Sequence, residues 1–443
     1  MLENIIIKQK KLLLASLQQL IQINSVEAEG KKGMPFGQGV DDALRFAIEL
    51  GESFGFSTVY NEGYYGYIEM GEGKELVGML GHLDVVPVEK PELWTFPPFG
   101  GEIANNRVYG RGSLDDKGPI IAALYAMHAV KEAAIPLKKR VRLILGTNEE
   151  TGWKCIKKYL EEEEIPQYGF VPDSDFPLIH GEKGLLQIKL QIDEGASFSM
   201  VGGGALNSVP DSCSYTGNQI EKLVEALKAT DYSYTQQGDT ITLQGKTAHT
   251  AKCWEGINAI TQAALLLNQE NISAPIIDFI AKEVGEDIYA KNMFGNYYDD
   301  ISGKLTFNVA KVKVDNQQQQ VYVDLRIPVT KEKEEVLSIL EKVVSSYGLQ
   351  MEVLSFLSPL YVSEDHFLIK ALRNVYEEVT GLNSTPLTTG GATYARSLQN
   401  FVAFGPLFPG EIKMAHKTNE YIDIDSLMKC TLIYAKAISR LGQ

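Results

Sequence analysis

Apolar residues follow two alternating patterns along the first 180 residues of the chain. Residues 3–23 carry apolar side chains at helical spacing, and the same period predicts helices at 41–55, 117–132 and 153–164. Short, nearly continuous apolar runs stand between the helices, and they predict strands at 76–80, 141–146 and 169–173. Strands alternating with helices predict an α/β domain with a mostly parallel sheet and helices on both faces.

The pattern changes after about Gly184. LLQIKLQID (185–193) alternates between apolar and polar residues, VYVDLRI (321–327) predicts another strand, and a helix at 221–229 lies between. This combination of alternating strands with a helix between them indicates an α+β region with antiparallel sheet. A helical pattern then returns at 368–379 and again at 425–441.

The simplest organisation is one α/β domain interrupted by an inserted α+β domain. We expect the first part of the α/β domain at 1–183, the insertion at 184–358 and the second part at 359–443. An insertion of this length has room for two similar lobes.

Composition narrows the classes of function. The 42 basic and 57 acidic residues give a formal charge of −15, which disfavours a nucleic-acid partner. No apolar run approaches the ~20 residues that a membrane span needs, and the basic residues near the N-terminus follow the apolar ones, unlike a secretory signal. The four scattered cysteines form no CxxC motif and are expected to be reduced thiols. We therefore expect a soluble, cytoplasmic protein without a membrane partner.

Familiar catalytic signatures are missing: the chain has no HExxH, no Walker A motif and no GxSxG nucleophile elbow. It has instead acidic and imidazole side chains directly after predicted strands, where open α/β sheets bind ligands. His82 and Asp84 follow the strand at 76–80 in LGHLDVVP, and Asp115 and Asp116 precede the helix at 117–132 in GRGSLDDKGP. A packed histidine and a helix-capping carboxylate are the ordinary structural alternatives.

Further candidates lie later in the chain. Glu149 and Glu150 follow the strand at 141–146, Asp173 ends the next strand, and His416 lies in the loop before the last helix. A charged helix N-terminus is the alternative for the two glutamates.

Six of these groups, four carboxylates and two imidazoles, could share one site. They are His82, Asp115, Glu149, Glu150, Asp173 and His416. Packing the carboxylates together is unfavourable because like charges raise one another's pKa, and divalent cations remove that penalty. Two metal ions that share one carboxylate, each with a further carboxylate and a histidine, use five groups. The sixth is then free to act as a base.

The motifs GHLDVVP, GRGSLDDKGP, NEETGWKC, PDSDFP and MAHKTNE resemble those of the co-catalytic metallopeptidase family that contains aminoacylase, carboxypeptidase G and carnosinase, and within it the dipeptidase V type. The resemblance runs from residue 80 to residue 420. It implies that Asp115 bridges two metal ions, with His82 and Asp173 on one ion. Glu150 and His416 would complete the other.

The resemblance also implies roles around the metal ions. Glu149 would be the general base, Asp84 would orient His82, and the Asp115–Asp116 peptide bond is a candidate for a cis bond. The insertion would be a lid built of two ferredoxin-like lobes. Because such an enlarged lid mimics a second subunit in the dipeptidase V type, we expect a monomer.

The lid would carry the remaining site residues. QGKTAHTAKCWEGINA resembles the family's lid motif and implies that His249 donates to the oxyanion. By the same resemblance Asn207 would polarise or bind the substrate, and Arg326 would hold the substrate carboxylate bidentately. Gly391 and Ala392 in TTGGATYAR could offer backbone N–H groups to that carboxylate. A surface histidine, a turn asparagine, a strand-end arginine and a tight turn are the structural alternatives.

The expected function is a metal-dependent aminodipeptidase in which a hydroxide activated by two divalent ions, Zn²⁺ or Mn²⁺, attacks the peptide bond of a dipeptide. An N-acyl-amino-acid deacylase, a succinyl-diaminopimelate-type enzyme or a tripeptidase of the same family is the nearer alternative. A non-catalytic metal- or peptide-binding protein is the second alternative. Glu149 argues against it, because a binding protein has no use for a base beside a filled metal site.

Overall fold

The computed structural model describes all 443 residues, Met1–Gln443. Its α-helices are α1 (Leu2–Gln22), α2 (Gln38–Ser53), α3 (Lys117–Glu132), α4 (Lys154–Glu162), α5 (Ile220–Leu227), α6 (Ala259–Gln269), α7 (Pro275–Phe279), α8 (Lys291–Phe294), α9 (Lys333–Ser346), α10 (Phe367–Thr380) and α11 (Ile424–Leu441). Its strands are β1 (Ser57–Asn61), β2 (Tyr65–Met70), β3 (Leu76–His82), β4 (Glu102–Ala104), β5 (Arg107–Tyr109), β6 (Arg140–Gly146), β7 (Tyr168–Val171), β8 (Ser174–Asp175), β9 (Ile179–Glu182), β10 (Gly184–Ile192), β11 (Ser199–Gly203), β12 (Ser212–Thr216), β13 (Ser233–Gln237), β14 (Thr240–Gln244), β15 (Tyr298–Asp299), β16 (Gly303–Lys304), β17 (Thr306–Val314), β18 (Gln319–Ile327), β19 (Gln350–Leu357), β20 (Leu360–Tyr361), β21 (Leu387–Thr389), β22 (Phe401–Ala403), β23 (Pro406–Leu407) and β24 (Tyr421–Asp423).

The chain divides into two compact units. Unit 1 comprises Met1–His180, Val362–Leu387 and Thr393–Gln443. Unit 2 comprises Gly181–Tyr361 and the short segment Thr388–Ala392. Unit 1 is therefore discontinuous in sequence.

Unit 1 is built around a mixed sheet in the order β1-β2-β6-β3-β7-β22, continued by β9. The central strands β6, β3, β7 and β22 run parallel, and β6 is buried on both faces as its apolar run predicts. The expectation of a mostly parallel sheet is confirmed for these central strands, whereas β1, β2 and β9 nearer the edges pair antiparallel. The sequence interpretation overlooked β1 and β2, which only three residues separate, and such a short connection imposes antiparallel pairing.

The predicted helices of unit 1 are present. Helix α3 packs against β3 and against the terminal helices α1 and α11. Its bounds match the predicted range of 117–132. Helix α2 begins at Gln38 rather than at the predicted residue 41, because Gly37, with a φ of 97°, ends the preceding loop.

Unit 2 contains one antiparallel sheet in the order β13-β14-β12-β11-β17-β18-β10-β19. The alternation predicted at 185–193 is confirmed in β10, where Leu186, Ile188 and Leu190 are buried and the residues between them are partly exposed. Helix α6 packs on β11, β12, β14 and β17, and helix α9 packs on β10 and β19. The core of unit 2 lies between these helices and the sheet.

Two further features concern the state of the cysteines and the character of the helices. The four cysteines are buried free thiols. None of the helices combines the length and the apolar character required to cross a bilayer.

Candidate metal centre

The parallel strands of unit 1 bring the predicted acidic and imidazole groups to one edge of the sheet. His82 ends β3, Glu149 and Glu150 follow β6, and Asp173 follows β7. Since β6, β3 and β7 are neighbours that run parallel, their carboxyl ends meet at the same edge. Strand order thus explains why residues distant in sequence converge here.

Asp115 lies between the two predicted histidine ligands. Its Oδ1 lies 3.0 Å from His82 Nε2, and its Oδ2 lies 3.1 Å from His416 Nε2. Each carboxylate oxygen of Asp115 therefore faces a different imidazole.

The other acidic groups surround this arrangement. Glu150 Oε1 lies 2.9 Å from His416 Nε2, and Asp173 Oδ2 lies 3.7 Å from His82 Nε2. Ligand atoms of His82, Asp115 and Glu150 all lie within 4.8 Å of one another, which is close enough to hold one cation.

The pKa values of these groups are shifted because several ionisable side chains are buried close together. Burial, together with the Asp115 charge, raises the pKa of Asp173 well above its ordinary value. Burial and the neighbouring carboxylates likewise raise the pKa of Glu149 to about 8. Burial lowers the pKa of His416, but hydrogen bonds to Asp115 and Glu150 outweigh it and raise that pKa to about 11. The buried carboxyls and the imidazoles beside them thus shift one another's pKa.

Asp84 is fully buried and anchors the segment that carries the two glutamates. Its Oδ1 and Oδ2 accept hydrogen bonds from the backbone N–H groups of Glu149 and Glu150, both at 3.0 Å. His82 Nδ1 lies 2.9 Å from the backbone oxygen of Asp84 and 3.5 Å from its carboxylate. Asp84 therefore links the end of β3 to the turn after β6.

The Asp115–Asp116 peptide bond is cis, which confirms that expectation. Asp116 is buried behind the site, and its Oδ2 accepts the backbone N–H of His82 at 3.2 Å. Gly81 allows this approach, since a Cβ there would collide with Asp116 Oδ2.

The sequence interpretation missed the ion pair that holds the Asp115 loop. Arg111 Nη1 donates to Glu420 Oε2 at 2.5 Å, and both side chains are buried. Glu420 Oε1 accepts the backbone N–H groups of Gly112, Leu114 and Asp115 at 3.0–3.2 Å. Both residues lie in the quoted motifs, but nothing in the local pattern pairs residues 309 positions apart.

The donor set of unit 1 fits divalent metal ions. It combines imidazole nitrogens with carboxylate oxygens, which are donors that divalent metal ions take in proteins. Burial, followed by neighbouring carboxylates, raises the pKa values of Asp173 and Glu149, and a cation bound beside them would lower both.

The predicted lid residues lie in unit 2, and several meet at Thr250. The ring nitrogen Nδ1 of the exposed His249 accepts the N–H of Ala251 at 3.1 Å. In a neutral imidazole the proton then resides on Nε2, which is the donor that an oxyanion requires. The backbone oxygen of Asn207 accepts from the N–H and the hydroxyl of Thr250 at 3.0 and 3.2 Å.

Arg326 is buried and its contacts are internal. Its Nε and Nη2 donate to the two carboxylate oxygens of Asp324 at 2.6 and 3.1 Å. Nη1 donates to the backbone oxygen of Gly390, and Nη2 also donates to Thr250 Oγ1, both at 2.6 Å. Four of the five N–H groups of Arg326 thus have partners within unit 2, and its role on a substrate carboxylate stays a prediction.

The loop at 390–392 carries the two predicted backbone donors, whose role on a substrate stays a prediction. The N–H of Gly391 donates to Thr389 Oγ1 at 3.0 Å, so it is already engaged by its own loop. Ala392 is partly exposed in the same loop.

The three histidines without a predicted site role make structural contacts. His128 stacks on Phe54 with ring centroids 4.0 Å apart. His180 Nδ1 lies 2.9 Å from the backbone oxygen of Val362, and His366 caps the start of α10.

Comparison with known proteins places this geometry in a family. The profile of "Peptidase family M20/M25/M40" matches residues 78–440. A curated relative, "Putative dipeptidase YtjP" of Bacillus subtilis (strain 168), is 37% identical over 99% of this chain and 99% of its own length.

Solved structures share the fold at low sequence identity. Human carnosine dipeptidase 1 superposes with a TM-score of 0.62 at 13% identity, covering 100% of this chain and 98% of that one. The M20 family metallo-carboxypeptidase Sso-CP2 of Sulfolobus solfataricus superposes with a TM-score of 0.61 at 18% identity, covering 97% and 99%. The fold that the chain shares with them is a mixed, mostly parallel α/β sheet with a separate antiparallel sheet domain.

Proposed function

This chain belongs to peptidase family M20/M25/M40 and is a metallopeptidase, and from that premise we propose that it is an aminodipeptidase using two divalent metal ions, Zn²⁺ or Mn²⁺. The full-length relative YtjP, whose name describes a dipeptidase, supports the substrate class.

One observation carries the two-metal proposal. The two carboxylate oxygens of Asp115 face different imidazoles, at 3.0 Å from His82 and 3.1 Å from His416. A carboxylate placed in this way is suited to bridge two cations that each take one histidine. We assign Asp173 to the His82 side and Glu150 to the His416 side, because each is near that imidazole.

Bound divalent ions would polarise the peptide carbonyl and lower the pKa of the attacking water. The chain's own residues then move the protons. Glu149 takes the proton from the attacking water and delivers it to the departing amine. Its pKa of about 8 in the protein without metal reflects burial and neighbouring carboxylates, and bound cations would lower it.

We further propose that unit 2 is a lid of two ferredoxin-like lobes that supplies the oxyanion donor. The order β19-β10-β18-β17 supports one such lobe, because these strands follow the 4-1-3-2 order of that fold. His249 Nε2–H would donate to the oxyanion, and Asn207 would contact the substrate. We also propose a monomer, which light scattering would test.

The test is hydrolysis by protein stripped of metal and refilled with Zn²⁺ or Mn²⁺. The panel comprises dipeptides, tripeptides and N-acetyl amino acids, and unfilled protein and Glu149→Gln serve as controls. We expect metal-dependent release of amino acids from dipeptides and little from the other classes.

Cleavage of acetylated substrates without cleavage of free dipeptides would instead favour the deacylase alternative. Metal binding without hydrolysis of any substrate would favour the non-catalytic binding protein.

A further inference from the structure

Unit 2 contains a cavity of ≈ 270 Å³ that is lined by its own residues alone. The walls come from the first turn of α6, the start of β17 and the segments 256–258 and 284–288. Val284, Ile288 and Phe307 supply an apolar part of the lining. The volume lies just below the ~300–1,000 Å³ of typical ligand pockets, so the cavity has room for a small organic molecule.

Gln262 brings a polar atom without a partner to this cavity. Its side chain lies on α6, is 8% exposed and belongs to the lining, and its Oε1 accepts no hydrogen bond. A buried carboxamide oxygen without a donor is unfavourable, because it has lost its hydrogen bonds to water and gained none in exchange. The next residues of the helix, Ala263 and Ala264, pack in the hydrophobic core. The Gln262 oxygen therefore marks a position where a ligand could donate a hydrogen bond.

The two asparagines of the lining differ from Gln262 because they are bonded within the protein. Asn258 Nδ2 donates to Asn308 Oδ1 at 3.1 Å and to the backbone oxygen of Val309 at 2.8 Å. Asn258 Oδ1 accepts two backbone N–H groups at the start of α6. Asn308 Nδ2 donates to the backbone oxygen of Ser208 at 3.0 Å. These amides hold the wall of the cavity in place, and they leave the Gln262 carboxamide to interact with a ligand.

Acidic groups give the cavity a preference for positive charge. The carboxylate of Asp287 accepts two backbone N–H groups, at 3.1 and 2.9 Å. The exposed Glu286 accepts the hydroxyl of Tyr232 through Oε1 at 3.0 Å. The lining includes no lysine, arginine or histidine. Carboxylates without a basic side chain beside them in the lining favour a cation and disfavour an anion.

We propose that this cavity of unit 2 binds a small organic ammonium compound with an apolar body. An N–H group of the ammonium would donate to Gln262 Oε1, and Glu286 would attract its charge. The apolar body would lie against Val284, Ile288 and Phe307. The inference is independent of the proposed function, because no residue of the lining is among those assigned to the metal ions or to the peptide substrate.

Three probes with one carbon skeleton test the ligand class: 3-methylbutylammonium, 3-methylbutan-1-ol and 3-methylbutanoate. We expect the ammonium compound to bind with a Kd of about 1 mM or tighter in calorimetry at pH 7. The alcohol should bind at least about 5-fold more weakly, since a charged donor forms the stronger hydrogen bond. The carboxylate should not bind measurably. No binding of the ammonium compound, or equally tight binding of either other probe, would overturn the proposal.

Methyl NMR shows where the ammonium compound binds. The titration should shift the methyl resonances of Val284 and Ile288, which line the cavity. The methyl resonances of Ile144, which is buried in β6 of unit 1, should stay unchanged. Shifts confined to methyl groups of unit 1 would overturn the assignment of the ligand to unit 2.

Variants test the two polar groups of the cavity. Gln262→Leu removes the acceptor and should weaken binding of 3-methylbutylammonium at least about 10-fold. Gln269→Leu, at an exposed position of the same helix, is the matched control and should keep the wild-type Kd. Glu286→Gln, whose exposed position leaves the fold unchanged, should raise the Kd about 2–5-fold at low salt. A wild-type Kd in both Gln262→Leu and Glu286→Gln would overturn the proposed site.

Discussion

Replacing Glu420 with Gln should loosen the loop that carries Asp115. Gln keeps the size of the side chain and an oxygen for the N–H groups of Gly112, Leu114 and Asp115. It loses the charge that faces Arg111 at 2.5 Å. The guanidinium of Arg111 then remains buried without its counter-ion.

The expected loss follows from that burial. Breaking a buried ion pair by removing one partner typically costs about 3–5 kcal/mol of unfolding free energy. At roughly 2 °C of melting temperature per kcal/mol for a large domain, Glu420→Gln should lower the Tm by about 6–10 °C. Because Glu420 supports a ligand-bearing loop without belonging to the proposed ligands, divalent-metal affinity should fall about 10–100-fold.

The assay combines thermal unfolding with metal competition against a chelator at pH 8. That pH keeps the carboxylate ionised, because burial raises the pKa of Glu420 to about 7. Glu161→Gln, at an exposed position of α4, is the charge-matched control and should change neither quantity. A Glu420→Gln protein with wild-type Tm and metal affinity would refute the idea that this ion pair holds the Asp115 loop.

Three further changes have distinct outcomes. Glu149→Gln should lower kcat by ~10²-fold or more, while elemental analysis should find the wild-type metal content per chain. Loss of metal would mean that the roles of Glu149 and Glu150 are assigned in reverse. His249→Ala should lower kcat by ~10²–10³-fold. The Tm should fall by only about 2 °C, because the exposed side chain contributes one capping hydrogen bond, from the N–H of Ala251, and a larger shift would point to a structural role. Gly81→Ala should cost about 1–3 kcal/mol in denaturant unfolding, since its Cβ collides with Asp116 and Ile120, and Gly204→Ala, which meets no atom, should not.

The proposed metal ligands show which parts of the site the local sequence pattern could predict. His82 and Asp173 were found because each ends or follows an apolar run, and parallel strands bring such positions to one edge. The sequence analysis did not predict β1 and β2, because their short hairpin lies outside the alternation of long helices and strands.

Arg326 shows where local pattern stops. The family resemblance implies a role for Arg326 on a substrate carboxylate, which stays a prediction, and the structure shows its guanidinium paired with Asp324, two residues away. The period of a strand already puts both side chains on one face, so the pairing was within reach of the sequence. The contacts of Arg326 with Thr250 and Gly390 could not be predicted from the sequence, because these residues are 76 and 64 positions away from it.

The sequence by itself determined the helices of unit 1, its buried central strands and the acidic and imidazole groups at strand ends, because periodicity and local chemistry are properties of neighbouring residues. The tertiary structure alone decided that Asp115 faces His82 with one oxygen and His416 with the other, and that Arg111 meets Glu420. Which charges share a buried environment depends on how distant segments pack. That packing turns scattered carboxylates into a site suited to metal ions.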